Sequence, residues 1–296
     1  MTIQHPPLAV VGPGAVGGLV AWLLHRSGAD VVAVGRPATV EAIRSHGLEV
    51  RSVQFGDHIE RVRVSTEIPR GASVIVATKS YGLEDVLAQL AAAEPIEVLS
   101  LLNGIEHMTP LREALPGIPV VGATIAVEAL RVAPAVIEHR SPFVRVSAPA
   151  SASGFASVAA LDSANPSVRV GGTEAEVLWA KFRFLSVFAL VTSFQAKPIG
   201  EAIAADPVLA EEVIGEVAAL ATAENALVTA EALSAALHSV PPGMRSSLQA
   251  DMAAGSRNEL DAIGGALIRV GRAHGIPTPA VQRIVTALGD DLGSEA

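Results

Sequence analysis

The chain has 296 residues, half of them apolar and 17% charged, with a formal net charge of −9. That length supports two domains with cores of their own, and so apolar a composition favours a compact globule over disorder. The acidic balance, with no block of basic residues, argues against nucleic-acid binding, and the absence of cysteine excludes disulfides, thiolate metal sites and a cysteine nucleophile.

In chain order, Leu8–Gly12 reads as a short buried strand ended by glycine, and Ala15–Ser27 as a helix stopped by Gly28. Asp30–Gly35 is a second strand and Val40–Ser45 a helix. Leu48–Ser52 and Glu60–Ser65 alternate as strands do, and Ser73–Thr78 is another buried strand. Helix Leu83–Ala92, strand Glu97–Leu102, helix Met108–Leu115 and strand Val120–Ala123 follow. Val136–Glu138 and Phe143–Val146 read as a hairpin extending the sheet, Ala148–Gly154 as a loop and Ser157–Ser163 as a helix. Beyond Thr173 the pattern is helical, over roughly 174–195, 208–225, 229–237, 243–254 and 257–274, with a last helix after Pro277 and Pro279. The expected fold is α/β: an N-terminal Rossmann-type doubly wound parallel sheet in residues 1–172, then an all-helical domain in 173–296. No secretory signal follows Met1, and the most apolar run, Phe184 to Phe194, is too short to span a bilayer, so a cytoplasmic protein without a membrane partner is expected.

The first strand leads into Gly12-Pro13-Gly14-Ala15-Val16-Gly17 at the start of a helix. In that context Gly12 permits a tight turn, Gly14 lets backbone approach a pyrophosphate, and Gly17 lets the helix pack on the strand. The second strand ends Val34-Gly35-Arg36, without the carboxylate that would bind a ribose 2′-hydroxyl. Arg36 suits a 2′-phosphate, so NADPH is expected over NADH; the alternative is a solvated arginine.

Only Lys79, Lys181 and Lys197 are lysines, against 18 arginines. A lysine pKa can be tuned by burial and used for proton transfer, which an arginine's cannot. Lys79 and Asn103 close two neighbouring strands, on the side where open sheets bind ligands. Lys181 lies on an apolar helix, where desolvation would suit it as a general acid; alternatively it reaches solvent along its stem. By themselves, Ser246 and Ser247 read as helix caps, Glu259 as a solvent-facing residue and His274 as a complement to a helix dipole. No histidine–carboxylate spacing suits a metal, so none is expected.

In this order and spacing, these segments resemble the ketopantoate reductase (2-dehydropantoate 2-reductase) family over nearly the whole chain. The matching pieces are the glycine loop with Arg36, Thr78-Lys79-Ser80-Tyr81, Asn103-Gly104-Ile105, Trp179-Ala180-Lys181, Ser246-Ser247-Leu248-Gln249 with Asp251, Glu259 to Gly265, and Ala273 to Pro277 with Pro279. The resemblance implies NADPH-dependent reduction of a 2-oxo acid at an active site between the two domains, with 2-dehydropantoate as default substrate and pantothenate biosynthesis as the setting. It implies Lys181 as general acid and Glu259 as its support or a cofactor contact. Ser247 would contact substrate, and Lys79 and Asn103 would lie by the nicotinamide and the reacting carbonyl. The chain departs from the family where asparagines are expected one and two turns beyond the lysine: Leu185 and Ala189 stand there, and Ile199 replaces a further polar contact. That departure points to a more apolar 2-oxo acid or ketone as an alternative substrate, with Lys197 a candidate replacement contact for its carboxylate. A non-catalytic NADPH-binding regulator is the reading from another class. The Ala- and Leu-rich helical half is compatible with a homodimer.

Overall fold

Four-residue runs such as Leu-Ala-Val-Val and Ser-Val-Ile-Val are apolar on both faces, as strands covered by helices on two sides require. The computed structural model describes residues 6–164 and 166–293. The chain divides into two compact units, Met1–Leu102 with His107–Val177, and Asn103–Glu106 with Leu178–Ala296.

The first unit runs β1 (Leu8–Val11), α1 (Ala15–Arg26), β2 (Val31–Val34), α2 (Pro37–His46), β3 (Leu48–Ser52), β4 (His58–Glu60), β5 (Arg63–Ser65), β6 (Ser73–Val76) and α3 (Glu84–Ala93). It continues with β7 (Glu97–Ser100), α4 (Met108–Ala114), β8 (Val120–Gly122), β9 (Thr124–Ala126), β10 (Ala129–Ala133), β11 (Val136–His139), β12 (Arg145–Ala148), α5 (Ala156–Ser163) and β13 (Ser167–Val170). The main sheet has the order β5-β2-β1-β6-β7-β8, all parallel. Its strand order reverses between β1 and β6, so the crevice beyond their carboxyl ends is where such a sheet takes a dinucleotide. Every residue of α1 from Gly17 to Leu24 is buried. A helix apolar all round needs cover on both sides; β1 and β2 lie against one side, and β10 and β11 of a second sheet against the other.

That second sheet corrects two expectations. Val136–Glu138 and Phe143–Val146 do not form a hairpin. β11 pairs with β10 and β3, whereas β12 pairs with β9 and β13 in a third sheet. The stretch Glu60–Ser65 is likewise two strands: β4 pairs with β3, β5 with β2, and buried Val62 lies between them. Alternation identifies which face of a strand is buried but not which neighbour it pairs with.

Beneath the main sheet, buried Glu97 closes a polar cluster. Its carboxylate accepts from Ser73 Oγ at 2.6 Å, Ser157 Oγ at 2.8 Å, and the N–H groups of Ala156 and Ser157 at 3.1 and 2.9 Å. It thus caps the N-terminus of α5, satisfying donors a helix start leaves open.

The chain passes from the first unit to the second within α6 (Glu174–Gln195). The second unit continues with α7 (Ile199–Ala205), α8 (Pro207–Ala223), α9 (Ala230–His238), α10 (Ser247–Ala253), a π-helical turn at Asp261–Gly265, α11 (Ala266–His274) and α12 (Pro279–Gly293). Its core gathers Trp179, Phe182, Leu190, Ile214, Leu267 and Ile284. The apolar run Phe184–Phe194 belongs to the 22-residue α6, which is long and apolar enough to cross a membrane by length and composition; 67% of its most apolar window is buried inside the protein, as in a core helix.

Candidate active site

In the first unit the chain leaves β1 and turns at Gly12, where φ is +88°. A side-chain carbon there would lie 2.8–2.9 Å from Thr78, and one at Gly17 only 2.2 Å from the Gly12 carbonyl oxygen. Both contacts are shorter than van der Waals distance, so packing demands glycine at these two positions. Gly14 differs: the nearest atom to a carbon placed there is 4.0 Å away. That open space lies over the N-terminus of α1, which has no side-chain cap and no acidic residue in its first turn. Free N–H groups, a positive helix end and room for an anion fit a dinucleotide pyrophosphate, bordered by Pro13, Ala15 and Val16. The Pro13 ring packs against Gly35, where a side chain would meet its Cγ at 2.9 Å, and so joins the glycine loop to the end of β2. Arg36 follows, exposed, at the N-cap of α2. Lys79 sits beyond the carboxyl end of β6 in extended conformation, partly buried.

In the second unit three predicted residues, distant in sequence, come together. The Lys181 ammonium donates to Asn103 Oδ1 at 2.8 Å, and Asn103 Nδ2 donates to Glu259 Oε2 at 3.3 Å. The Asn103 amide is therefore oriented from both ends, its oxygen toward the amine and its nitrogen toward the carboxylate. Glu259 is 3% exposed, which overturns the expectation that it faces water. It lies at the start of a helical segment, whose dipole favours a carboxylate there, and Asn258 Oδ1 caps that start by accepting from Leu260 N–H at 3.0 Å. Burial pulls the Lys181 pKa down from 10.5 to about 8, against the opposing pull of the Glu259 charge. An amine near that value can hold a proton and release it close to neutral pH.

Along α6, Leu185, Ala189 and Thr192 follow Lys181 at helical spacing on one face. Leu185 keeps some exposed surface, whereas Ala189 is fully buried and offers a ligand none. Buried Thr192 gives its hydroxyl to the Phe188 carbonyl at 2.7 Å and meets Ser246 Oγ at 2.8 Å. Ser246 is the N-cap of α10, accepting from Gln249 N–H at 3.1 Å, while Ser247 lies exposed at its first turn. Sequence reading did not single out Thr192; its spacing from Lys181 was the available signal. Ile199 is buried, its N–H held by the Met244 carbonyl, and Lys197 is exposed. His274 bonds Glu224 Oε1 at 2.6 Å, in addition to ending α11.

Comparison with known proteins identifies the family. Residues 8–149 match the family model for ketopantoate reductase PanE/ApbA, and residues 175–290 the model for its C-terminal part. A 2-dehydropantoate 2-reductase of Caulobacter vibrioides is 31% identical over 293 residues, covering 95% of this chain and 97% of that protein. Among solved structures, a PanE/ApbA family ketopantoate reductase from Ralstonia eutropha superposes with a TM-score of 0.87 at 26% identity, over 97% of this chain and 99% of that one. A D-mandelate dehydrogenase solved with NADH and anilino(oxo)acetate shares the fold, with a TM-score of 0.83 at 20% identity over 97% of this chain and 99% of that one. The chain therefore belongs to the ketopantoate reductase family of nicotinamide-dependent oxidoreductases.

Proposed function

We propose that the protein reduces a 2-oxo acid to the 2-hydroxy acid with NADPH, 2-dehydropantoate being the first substrate to test. The observation that carries this reading is the Lys181 ammonium, desolvated and held at 2.8 Å by an amide that also engages buried Glu259. In the first unit, the loop Gly12–Gly17 binds the pyrophosphate, Arg36 pairs with the 2′-phosphate, and Lys79 borders the nicotinamide end. When bound, NADPH supplies the hydride. As negative charge builds on the ketone oxygen, Lys181 stabilises it and transfers its proton to that oxygen, so that hydride and proton together complete the alcohol. Asn103 keeps the amine directed, Glu259 balances its charge, and Ser247 offers a hydroxyl to the substrate. On this reading the enzyme works in the cytoplasm and takes part in pantothenate biosynthesis.

A second substrate class has an observation of its own. Leu185 lies one turn beyond Lys181 and presents no hydrogen-bonding group. A substrate hydroxyl left unpaired there costs about 1–3 kcal/mol, so a 2-oxo acid with an apolar side chain would be preferred. A D-mandelate dehydrogenase shares this fold, which puts aryl 2-oxo acids among the substrates to test. Following NADPH absorbance with purified protein against 2-dehydropantoate and a panel of aliphatic and aryl 2-oxo acids separates the two. Binding of NADPH with turnover of nothing in the panel would refute both and leave a cofactor-binding regulator.

A further inference from the structure

A second ionic arrangement lies within the helical unit, one loop away from the Lys181–Asn103–Glu259 cluster. Arg269 on α11 grips Glu106 in bidentate fashion, Nε to Oε1 at 2.8 Å and Nη2 to Oε2 at 2.7 Å. The same guanidinium reaches the Asp261 carboxylate at 2.8 and 3.2 Å and the Asp261 carbonyl at 3.1 Å. Glu106 is three residues after Asn103, and Asp261 two residues after Glu259. One side chain therefore ties together the two segments that supply the partners of Lys181.

The backbone is built to allow this. Asp261 opens the π-helical turn Asp261–Gly265, and its carbonyl already accepts from Ala266 N–H across the widened turn. A π turn inserts a residue into a helix and is held only where local contacts favour it; the extra bond from Arg269 is such a contact. Gly265 carries no side chain where the pair meets: a carbon there would stand 2.2 Å from Asp261 Oδ1 and 3.0 Å from Arg269 Nη1. On the loop side, Gly104 has φ +92° and lies so close to the turn that a carbon on it would touch the Ala262 carbonyl oxygen at 3.0 Å. The loop 103–106 and the turn 261–265 thus meet twice, through Gly104 on Ala262 and through the Arg269 clamp.

We infer that Arg269 is a positioning residue, which sets Asn103 and Glu259 around Lys181 by clamping Glu106 to Asp261. The exposed pairs themselves contribute little to global stability, but a bidentate fork fixes geometry as a point charge cannot. This inference rests on the reading of Lys181 as the proton donor, and its test does not depend on turnover.

With only three lysines in the chain, competitive amine labelling with mass-spectrometric readout titrates Lys181 individually in the cofactor-free protein. Among the described residues, Asn103 accepts a hydrogen bond from it and the Glu259 charge acts on it. In wild type its midpoint should lie at about 8, where burial places it. In Arg269→Ala, and equally in Glu106→Ala, the loosened loop admits water and the midpoint rises toward the ordinary 10.5. Arg269→Lys restores part of the difference, and the double variant Arg269→Ala/Glu106→Ala moves no further than the larger single change. With substrate, kcat falls about tenfold to a hundredfold in the single variants, while the Kd for NADPH stays unchanged. An unmoved Lys181 midpoint in both single variants overturns the inference, whatever happens to thermal stability or rate. If wild type turns over no 2-oxo acid, the proposed function fails, and the labelling comparison still decides the role of Arg269.

Discussion

If Lys181 delivers the proton to the substrate oxygen, as proposed above, raising the pH through 8 should switch off ketone reduction. An amine with a pKa of about 8 is roughly 90% protonated near pH 7 and roughly 10% near pH 9. Under saturating substrate and NADPH, kcat should therefore be flat on the acid side and fall about tenfold between those two values. The reverse reaction needs the neutral amine, so alcohol oxidation should rise across the same interval. Lys181→Met removes the donor and should lower kcat by about 10²–10⁴-fold. Lys181→Arg keeps the charge without a transferable proton, and should be slow at every pH. The same shift has a thermodynamic signature. Between about 8 and 10.5 the unfolded chain binds the proton that the folded protein releases, so stability rises with pH across that window. The full rise is about 3 kcal/mol from 2.5 pH units. Denaturant titrations of wild type and Lys181→Met across the window measure it. A reductive profile that stays level to pH 10, or a stability difference with no slope, would refute the assignment of Lys181 as a desolvated proton donor.

Four further substitutions probe other parts of the molecule. Replacing Arg36 with Gln should weaken NADPH by about tenfold to a hundredfold and leave NADH nearly unchanged, as read by cofactor fluorescence; equal losses would remove the 2′-phosphate role. Gly17→Ala forces a carbon to 2.2 Å from the Gly12 carbonyl and should cost about 1–3 kcal/mol in denaturant unfolding, whereas Gly14→Ala should weaken NADPH while leaving stability nearly intact. Buried His139 bonds Ser52 Oγ at 2.8 Å, and burial holds its pKa below 6.5. The unfolded chain then takes up a proton first, so stability is lost as pH falls below about 6.5; His139→Gln should flatten that slope in melting curves taken from pH 7 to pH 5.

The first strand, glycine loop and helix are legible in the sequence because each residue obeys a local rule: apolar on both faces, glycine where backbone approaches backbone, apolar all round where a helix is covered twice. Lys181 stood out through its rarity and apolar surroundings. Pairing across distance was not legible. Nothing in Val136–His139 or Arg145–Ala148 states that the two strands enter different sheets. The strand Ser167–Val170 is mostly exposed and lacks an apolar signature, and α7 follows Pro198 in a stretch too short for a clear period. Glu259 read as solvated because carboxylates are rarely buried without partners, and its partner Asn103 lies 156 residues earlier. Arg269 carried no signal at all, since its meaning depends on Glu106 and Asp261 meeting on one guanidinium.

The four residues 103–106 carry a consequence for the evolution and engineering of the fold. They interrupt one unit and complete the other, so the boundary cannot be cut at a single point. A fragment beginning at Leu178 would inherit Lys181 and Glu259 but lack the amide that links them. Recombination that grafts the helical half onto a foreign nucleotide-binding half must therefore import this tetrapeptide too, from a gene segment encoded far upstream. The helical half is thus encoded in two separated stretches of the chain, and a transplant that carries only the later one leaves Lys181 and Glu259 without Asn103.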